Sequence, residues 1–323
     1  MTLTIYIDGA EGTTGLQLKQ RLLSHSEVKI LDTDISKRKD INYKLEKFSN
    51  ADLIFLCLPD KEAEETVFEI EKNISSKKVI IDASSAHRVS KGWEYGFPEL
   101  HSNKRKLIKG SNRITNPGCY PTGALSLIRP LIENNIIGKS SLLTINAISG
   151  YTGGGKKLVN FFSTNSKEKF FYYSTFLDHK HNKEIKKYSL LDKSPIFCPS
   201  VGAFPQGMAV SVPIHFDWFQ NKIKGKDIFD LLHDNYNSDP LISVNPLNSE
   251  SQLTAQGFLS PEVLIGTNNI DISIFSNDKL GQLWLVARLD NLGKGASGAA
   301  IQNMNIRFGF DENLGVNIKN EFS

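Results

Sequence analysis

Two short stretches hold side chains able to do covalent chemistry. NPGCYPTGAL (116–125) puts Cys119 directly after a Pro117-Gly118 turn. Ala124, Leu125, Ile128, Leu131 and Ile132 then recur at helical spacing, so the thiol falls at a predicted helix N-terminus. There the positive end of the helix dipole and the outward amides favour thiolate, and the same amides could hold an oxyanion beside the sulfur. A capping-region cysteine without chemistry is the alternative that spacing leaves open. Cys57, inside LIFLCLP, and Cys198, inside IFCPS, read as small core hydrophobes. The second stretch, DHKHNKEI (178–185), offers His179, His181 and Glu184. A thiol with a histidine remote in sequence is the usual pairing for thiol catalysis. The two histidines could instead face solvent, serve structurally, or bind a metal if the triplet were a strand. The metal reading lacks a further ligand set.

A third motif supplies a redox partner. IDGAEGTTGLQL (7–18) sets Gly9, Gly12 and Gly15 at G-x-x-G-x-x-G spacing just after the first strand and at the start of a helix. Such a turn brings amides and a helix N-terminus to a pyrophosphate. The second strand ends at LDTD, where Asp32 or Asp34 suits a ribose hydroxyl. Ser36, Lys37, Arg38 and Lys39 follow and suit a 2′-phosphate, or form a solvated loop. Together the motifs describe a thiolate attacking an acyl carbon, with hydride from a nicotinamide reducing the thioester to a thiohemiacetal that collapses to an aldehyde.

The elements that must position these residues change character along the chain. LTIYID (3–8), VKILDT (28–33), ADLIFLCLP (51–59) and KVIIDASS (78–85) read as strands, and EGTTGLQLKQRLL (11–23) and DKEAEETVFEIEKN (60–73) as helices. Alternation at this spacing predicts an α/β, Rossmann-like parallel sheet. After Cys119, LLTINAISG (142–150), FCPSVGAF (197–204), AVSVPIHF (209–216), NIDISIFS (269–276) and QLWLVARL (282–289) read as long strands. KIKGKDIFDLLHDNY (222–236) is the best helix among them, and a last helix covers 294–308. This half predicts an α+β catalytic domain.

Bulk properties exclude several classes. A chain of 323 residues suggests two domains, and 40% hydrophobic with 23% charged residues is ordinary globular composition. A net charge of +3 does not argue for a nucleic-acid or membrane surface and is compatible with small anionic ligands. Residues 156–193 hold nine lysines against four acids around FFYY (170–173), which we read as an apolar cluster with a solvated basic face rather than an RNA surface. Three cysteines make no disulfide framework, and MTLTIYIDG has no secretory features, so a reducing cytoplasm is expected.

Over nearly its whole length the sequence resembles the short class of N-acetyl-gamma-glutamyl-phosphate reductase. DGAEGTTGLQL, IDASSAHR, YGFPEL, NPGCYPTGAL, SGYTGGGKK, HKHNKEI and DNLGKGASGAAIQNMN carry the resemblance, with Glu11 and Thr13 standing as the short class has them. The resemblance implies Cys119 as nucleophile and His181 as general acid/base. It implies Arg88, Ser149, Gly150 and Glu184 on the substrate side, Glu184 as a substrate or orienting contact. It implies NADP(H) as cofactor, met by Gly9, Gly12, Thr13, Gly15, Ser36, Lys37, Arg38, Pro59, Ser84 and Asn291, and no metal. The implied fold is similar to glyceraldehyde-3-phosphate dehydrogenase, with 1–118 and 294–323 forming the nucleotide domain and 119–293 the catalytic domain. A homo-oligomer, dimer or tetramer, is expected. Related acyl phosphates (aspartyl or N-acetyl-aminoadipyl), a cysteine hydrolase or transferase, and a non-catalytic nucleotide-binding protein are the alternative functions.

Overall fold

The computed structural model describes residues 2–164 and 167–317. Two compact units emerge, residues 2–117 with 296–317 and residues 118–295. The terminal residues 318–323, expected in the nucleotide domain, lie outside the described residues.

The first unit runs β1 (Leu3–Asp8), α1 (Thr13–Leu22), β2 (Val28–Ile30), α2 (Ile41–Asn50), β3 (Leu53–Leu56), α3 (Asp60–Asn73), β4 (Val79–Asp82), β5 (Glu94–Tyr95), α4 (Lys104–Gly110) and β6 (Arg113–Thr115). Its six strands pair in parallel in the order β2-β1-β3-β4-β6-β5. Strand alternation sends Ile5, Leu53, Phe55 and Ile81 into a core with Leu18 and Leu22 of α1. Tyr6, Ile54, Leu56 and Ile80 point the other way, onto Phe48, Val67 and Ile70 of α2 and α3. Both faces are therefore buried, which is why these strands read as continuous apolar runs. The second strand stops at Ile30, short of the expected 28–33. Asp34 accepts from the amide and hydroxyl of Ser36 and turns the chain into a 3₁₀ turn, Ile35–Lys37.

The second unit contains α5 (Cys119–Glu133), β7 (Thr144–Gly150), α6 (Gly155–Thr164), β8 (Phe170–Tyr172), α7 (His181–Ser189), β9 (Ile196–Gly202), β10 (Met208–His215), α8 (Gly225–Tyr236), β11 (Ile242–Val244), β12 (Ile270–Asn277) and β13 (Gln282–Leu289). Its mixed sheet has the order β11-β12-β13-β10-β7-β9-β8. The inward residues Val210, Val212, Leu285 and Ile274 are buried, and α5 packs over β10 and β13. Gly123 permits this approach, because a Cβ there would lie 2.8 Å from Val210 Cγ2. Pro130 inside α5 cannot donate to the carbonyl of Ser126. Tyr236 of α8 donates its hydroxyl to that oxygen at 2.9 Å, so the freed acceptor stays satisfied in the core.

A π-helical turn, Gly293–Ser297, leads into α9 (Gly298–Phe308), which belongs to the first unit. Its amides explain why. Asn303 donates to Gly96 O, Gln302 donates to Glu99, and Asn305 bonds His25 and the Leu314 carbonyl. Gly118, Lys294 and Gly295 fall in the second unit. Gly118 bonds Glu184 there, and Gly295 bonds Asp290. Among the described residues no helix is long and apolar enough to cross a membrane.

Candidate active site

The glycine turn caps the carboxyl end of β1. Gly9 has φ +87°, and a Cβ on it would lie 2.4 Å from the Cys57 carbonyl oxygen. A Cβ on Gly15 would lie 2.3 Å from Gly9 O. The turn closes with Gly12 N–H donating to Gly9 O at 3.1 Å, and Gly12 is the N-cap of α1. The first-turn amides, from Thr13 onward, aim out of the helix end. Beside them opens a cleft of about 820 Å³ lined by Gly9, Ala10, Thr33, Ile35, Arg38, Lys39 and Pro59. Tight glycines, a helix N-terminus and a cleft at a strand's carboxyl end fit a dinucleotide. Gly9→Ala should destabilise the fold by about 1–3 kcal/mol, from overpacking and positive-φ strain, and should weaken dinucleotide binding. Urea unfolding and cofactor fluorescence titration measure the two effects.

Around this cleft the polar candidates separate. Asp34 is occupied with Ser36, whose side-chain hydroxyl above all holds the carboxyl below the usual carboxylate range. Lys37 stands 4.0 Å from Asp34 and over the Tyr43 ring, and does not line the cleft; Arg38 and Lys39 do. Ser84 donates its hydroxyl to the buried Asp82 at 2.7 Å, and His87 Nδ1 lies 2.6 Å from the same carboxylate. Arg88 is buried and donates Nε–H to Asn116 O at 3.0 Å. Asn116 in turn donates to Ala296 O and accepts from Asn303.

In the second unit Cys119 is the first residue of α5, with Gly118 as extended N-cap. Thr122 N–H bonds Gly118 O, Pro121 has no N–H, and Cys119 and Tyr120 head this first turn. α7 packs against α5. From it Glu184, buried, accepts from Gly118 N–H at 2.8 Å. His181 lies one turn earlier on α7, and its ring centroid is 6.0 Å from that of Tyr120. Cys119, His181 and Glu184, distant in sequence, thus converge on one helix start.

His179 does something else. Its Nδ1 accepts from His181 N–H at 3.1 Å, and its ring sits edge-on to Tyr120, Tyr173 and Phe197. The HKH triplet is therefore not a strand, as a His-x-His metal site would need: His179 caps the helix that His181 begins. Burial pushes the Tyr120 and Tyr173 phenols well above the ordinary tyrosine range, and their nearness to the Cys119 sulfur pushes the same way. Both remain neutral donors in the physiological range.

Ser149 is buried with its hydroxyl on Gly150 O, and a Cβ on Gly150 would meet Gln206 N at 2.6 Å. Asn291 belongs to this unit. Its amide accepts from Gly207 N–H at 2.8 Å and donates to the Thr152 hydroxyl at 3.0 Å.

With this geometry in view, known proteins give a consistent picture. The semialdehyde dehydrogenase NAD binding domain matches residues 4–108, and the semialdehyde dehydrogenase dimerisation domain matches residues 119–291. N-acetyl-gamma-glutamyl-phosphate reductase 2 of a Nostoc species is 41% identical over 320 residues, covering 97% of this chain and 98% of its own. The chain belongs to the N-acetyl-gamma-glutamyl-phosphate reductase family. A further reductase of this family, from Brucella ovis, is 39% identical over 94% of this chain and 98% of its own. The fold is also that of the aspartate semialdehyde dehydrogenase of Francisella tularensis, at TM-score 0.70 and 14% identity over 94% of this chain and 99% of that one. The Candida albicans enzyme, solved with NADP, gives TM-score 0.64 at 15% identity over 94% and 98%. As a member of the reductase family the chain is an oxidoreductase with a Rossmann-like NAD(P)-binding domain.

Residues that the sequence motifs left unassigned also lie near the thiol: Gly295, whose Cβ position is 2.6 Å from Cys119 Cβ, and Tyr173, whose phenol feels the Cys119 sulfur, while Gln206 bonds the buried Asp290. The only legible signal was the paired glycines of DNLGKG; a buried aspartate there looks like any turn residue until its partners are known.

Proposed function

We propose that the chain reduces N-acetyl-L-glutamyl 5-phosphate with NADPH to N-acetyl-L-glutamate 5-semialdehyde and phosphate, in arginine biosynthesis, through a thioester on Cys119. The observation that carries this reading is the convergence of Cys119, at the first turn of α5, with His181 and Glu184 of α7. The kinship with N-acetyl-gamma-glutamyl-phosphate reductases supports the substrate.

The Cys119 sulfur attacks the acyl carbon. The carbon–oxygen bond to phosphate breaks, phosphate leaves with the electron pair, and the acyl group remains as thioester. The amides of Cys119 and Tyr120 stabilise negative charge on the acyl oxygen. A bound dihydronicotinamide supplies the hydride that brings this carbon to the aldehyde level. His181 protonates the oxyanion, then takes the hydroxyl proton back as the carbon–sulfur bond breaks and thiolate returns. Glu184 holds the Gly118 amide and so fixes the α5 start against α7. His179 fixes the α7 start. Arg88, Ser149 and Gly150 remain the substrate-side candidates. NADPH synthesis of the aldehyde from a panel of acyl phosphates tests the substrate: glutamyl should exceed aspartyl and aminoadipyl by at least tenfold in kcat/KM, and equal values would refute the assignment.

For the cofactor, the glycine turn with Thr13 and Pro59 would hold the dinucleotide, Ser84 and Asn291 being further candidates. Arg38 is the 2′-phosphate contact, since its planar fork suits a phosphate and it lines the cleft, whereas Lys37 is turned to Asp34. Arg38→Ala should raise the NADPH dissociation constant about tenfold by fluorescence titration, leave NADH nearly unchanged, and exceed the effect of Lys37→Ala. Equal losses for both cofactors would remove Arg38 from that role.

The outer face of the second sheet carries Phe275, Trp284 and Pro213 in register across β12, β13 and β10. Trp284 is 44% exposed. This face would pair with a second copy, as the matched dimerisation domain suggests. Trp284→Glu should halve the mass measured by light scattering. None of the three cysteines is in a disulfide, which suits the cytoplasm.

A further inference from the structure

Asp290 directly follows β13 and is fully buried. Its carboxylate gathers N–H groups from three residues. Gln206 Nε2 lies 2.8 Å from Oδ1 and 2.7 Å from Oδ2, Leu292 N–H donates to Oδ1 at 2.9 Å, and Gly266 N–H donates to Oδ2 at 2.9 Å. The main-chain carbonyl of the same residue accepts from Gly295 N–H at 2.9 Å. Side chain and backbone of one residue thereby close the turn 290–295.

The closed turn delivers Gly295 to the thiol. A Cβ built on Gly295 would lie 2.6 Å from Cys119 Cβ and 3.2 Å from Cys119 Cα. Only a residue without a side chain can stand there, so the Gly295 backbone forms one wall of the cysteine. Gly293 is equally confined, its Cβ position being 2.0 Å from Thr267 O. The turn is also the start of the π-helical stretch Gly293–Ser297, an irregularity that recurs at functional sites.

We infer that Asp290 is a positioning residue: by clamping the 290–295 turn it holds Gly295 against Cys119 and fixes where the sulfur stands. The inference rests on Cys119 being the nucleophile. Attack on an acyl carbon is sensitive to placement, and a displacement of about 1 Å costs on the order of 10²-fold in rate.

Two substitutions test it. Asp290→Asn keeps the shape but exchanges one acceptor oxygen for an NH₂ group, so Leu292 N–H or Gly266 N–H meets a donor. Gly295→Ala pushes on Cys119 directly. Gly110→Ala, where a Cβ meets nothing within 4 Å, is the control. Each variant is assayed for kcat and KM, for the NADPH dissociation constant, for folded fraction by near-UV circular dichroism, and for iodoacetamide labelling of Cys119 by peptide mass spectrometry with Cys198 as internal reference. Positioning predicts that both variants lose about 10²-fold in kcat. Acyl-phosphate KM and NADPH binding should move less than about threefold, and Cys119 labelling should change relative to Cys198. Wild-type kcat in folded Asp290→Asn and Gly295→Ala would overturn the inference. So would a kcat that falls only in proportion to the folded fraction. Failure of the thiol mechanism is separate: it shows as activity retained by Cys119→Ala.

Discussion

Cys119→Ala is expected to abolish acyl-phosphate-dependent oxidation of NADPH while leaving the NADPH dissociation constant unchanged. Without sulfur no thioester forms, and the phosphate has no nucleophile to displace it. The loss should reach the detection limit rather than a partial fall, because the acyl enzyme is the only route by which the acyl carbon is held for reduction. Cofactor binding is spared because the glycine turn and its cleft lie wholly in the first unit. The other two thiols give the contrast. Burial, reinforced by the negative charges of Asp82 and Asp8, pushes the Cys57 thiol up to about 12. It stays protonated at every working pH and should resist alkylation. Cys57→Ala and Cys198→Ala should keep turnover.

His181→Asn is the second large effect, expected to lower kcat by ~10²–10⁴ with little change in KM. The imidazole is buried at the first turn of α7, beside Tyr120 and within the helix pair that carries the thiol. His179 separates from it by role. Its Nδ1 is a helix-capping acceptor, and asparagine can accept the same N–H. His179→Asn should therefore cost much less than His181→Asn, and His179→Ala should fall between them because the cap is lost. Equal losses in the two asparagine variants, measured as steady-state kcat, would contradict this division.

Much of the fold could be read from residue patterns. LTIYID, DKEAEETVFEIEKN and QLWLVARL coincide with β1, α3 and β13 end to end. Their apolar runs or helical spacing are uninterrupted. α2 was not read from the sequence: only Phe48 of its ten residues is buried, and Asp40, accepting from Asn42 and Tyr43, starts it. α6 has no buried residue and carries the stacked Phe162, packed with Tyr151 and Phe171.

The candidate site divides along similar lines. Cys119 was legible because a turn followed by helical spacing marks a helix start. Local spacing alone did not separate His179 from His181; the family resemblance singled out His181, and what His179 does is visible only in its acceptance of the His181 amide. Lys37 and Arg38 are neighbours in a charged loop, and only the 3₁₀ turn capped by Asp34 directs one to the cleft and the other away. Asp290 and Gly295 depend on contacts with Gln206, Gly266 and Cys119, at separations local patterning cannot reach.

The central claim is a thioester on Cys119, and the reverse reaction without phosphate tests it most directly. N-acetylglutamate semialdehyde and NADP⁺ are mixed with enzyme in phosphate-free buffer, NADPH absorbance is followed, and the acid-quenched protein is digested for mass spectrometry. A thioester on Cys119 should give a burst of NADPH equal to the enzyme present, an N-acetylglutamyl adduct on the peptide carrying Cys119, and turnover only when phosphate is added. Steady NADPH formation without phosphate and without an adduct, or the same burst from Cys119→Ala, would contradict it.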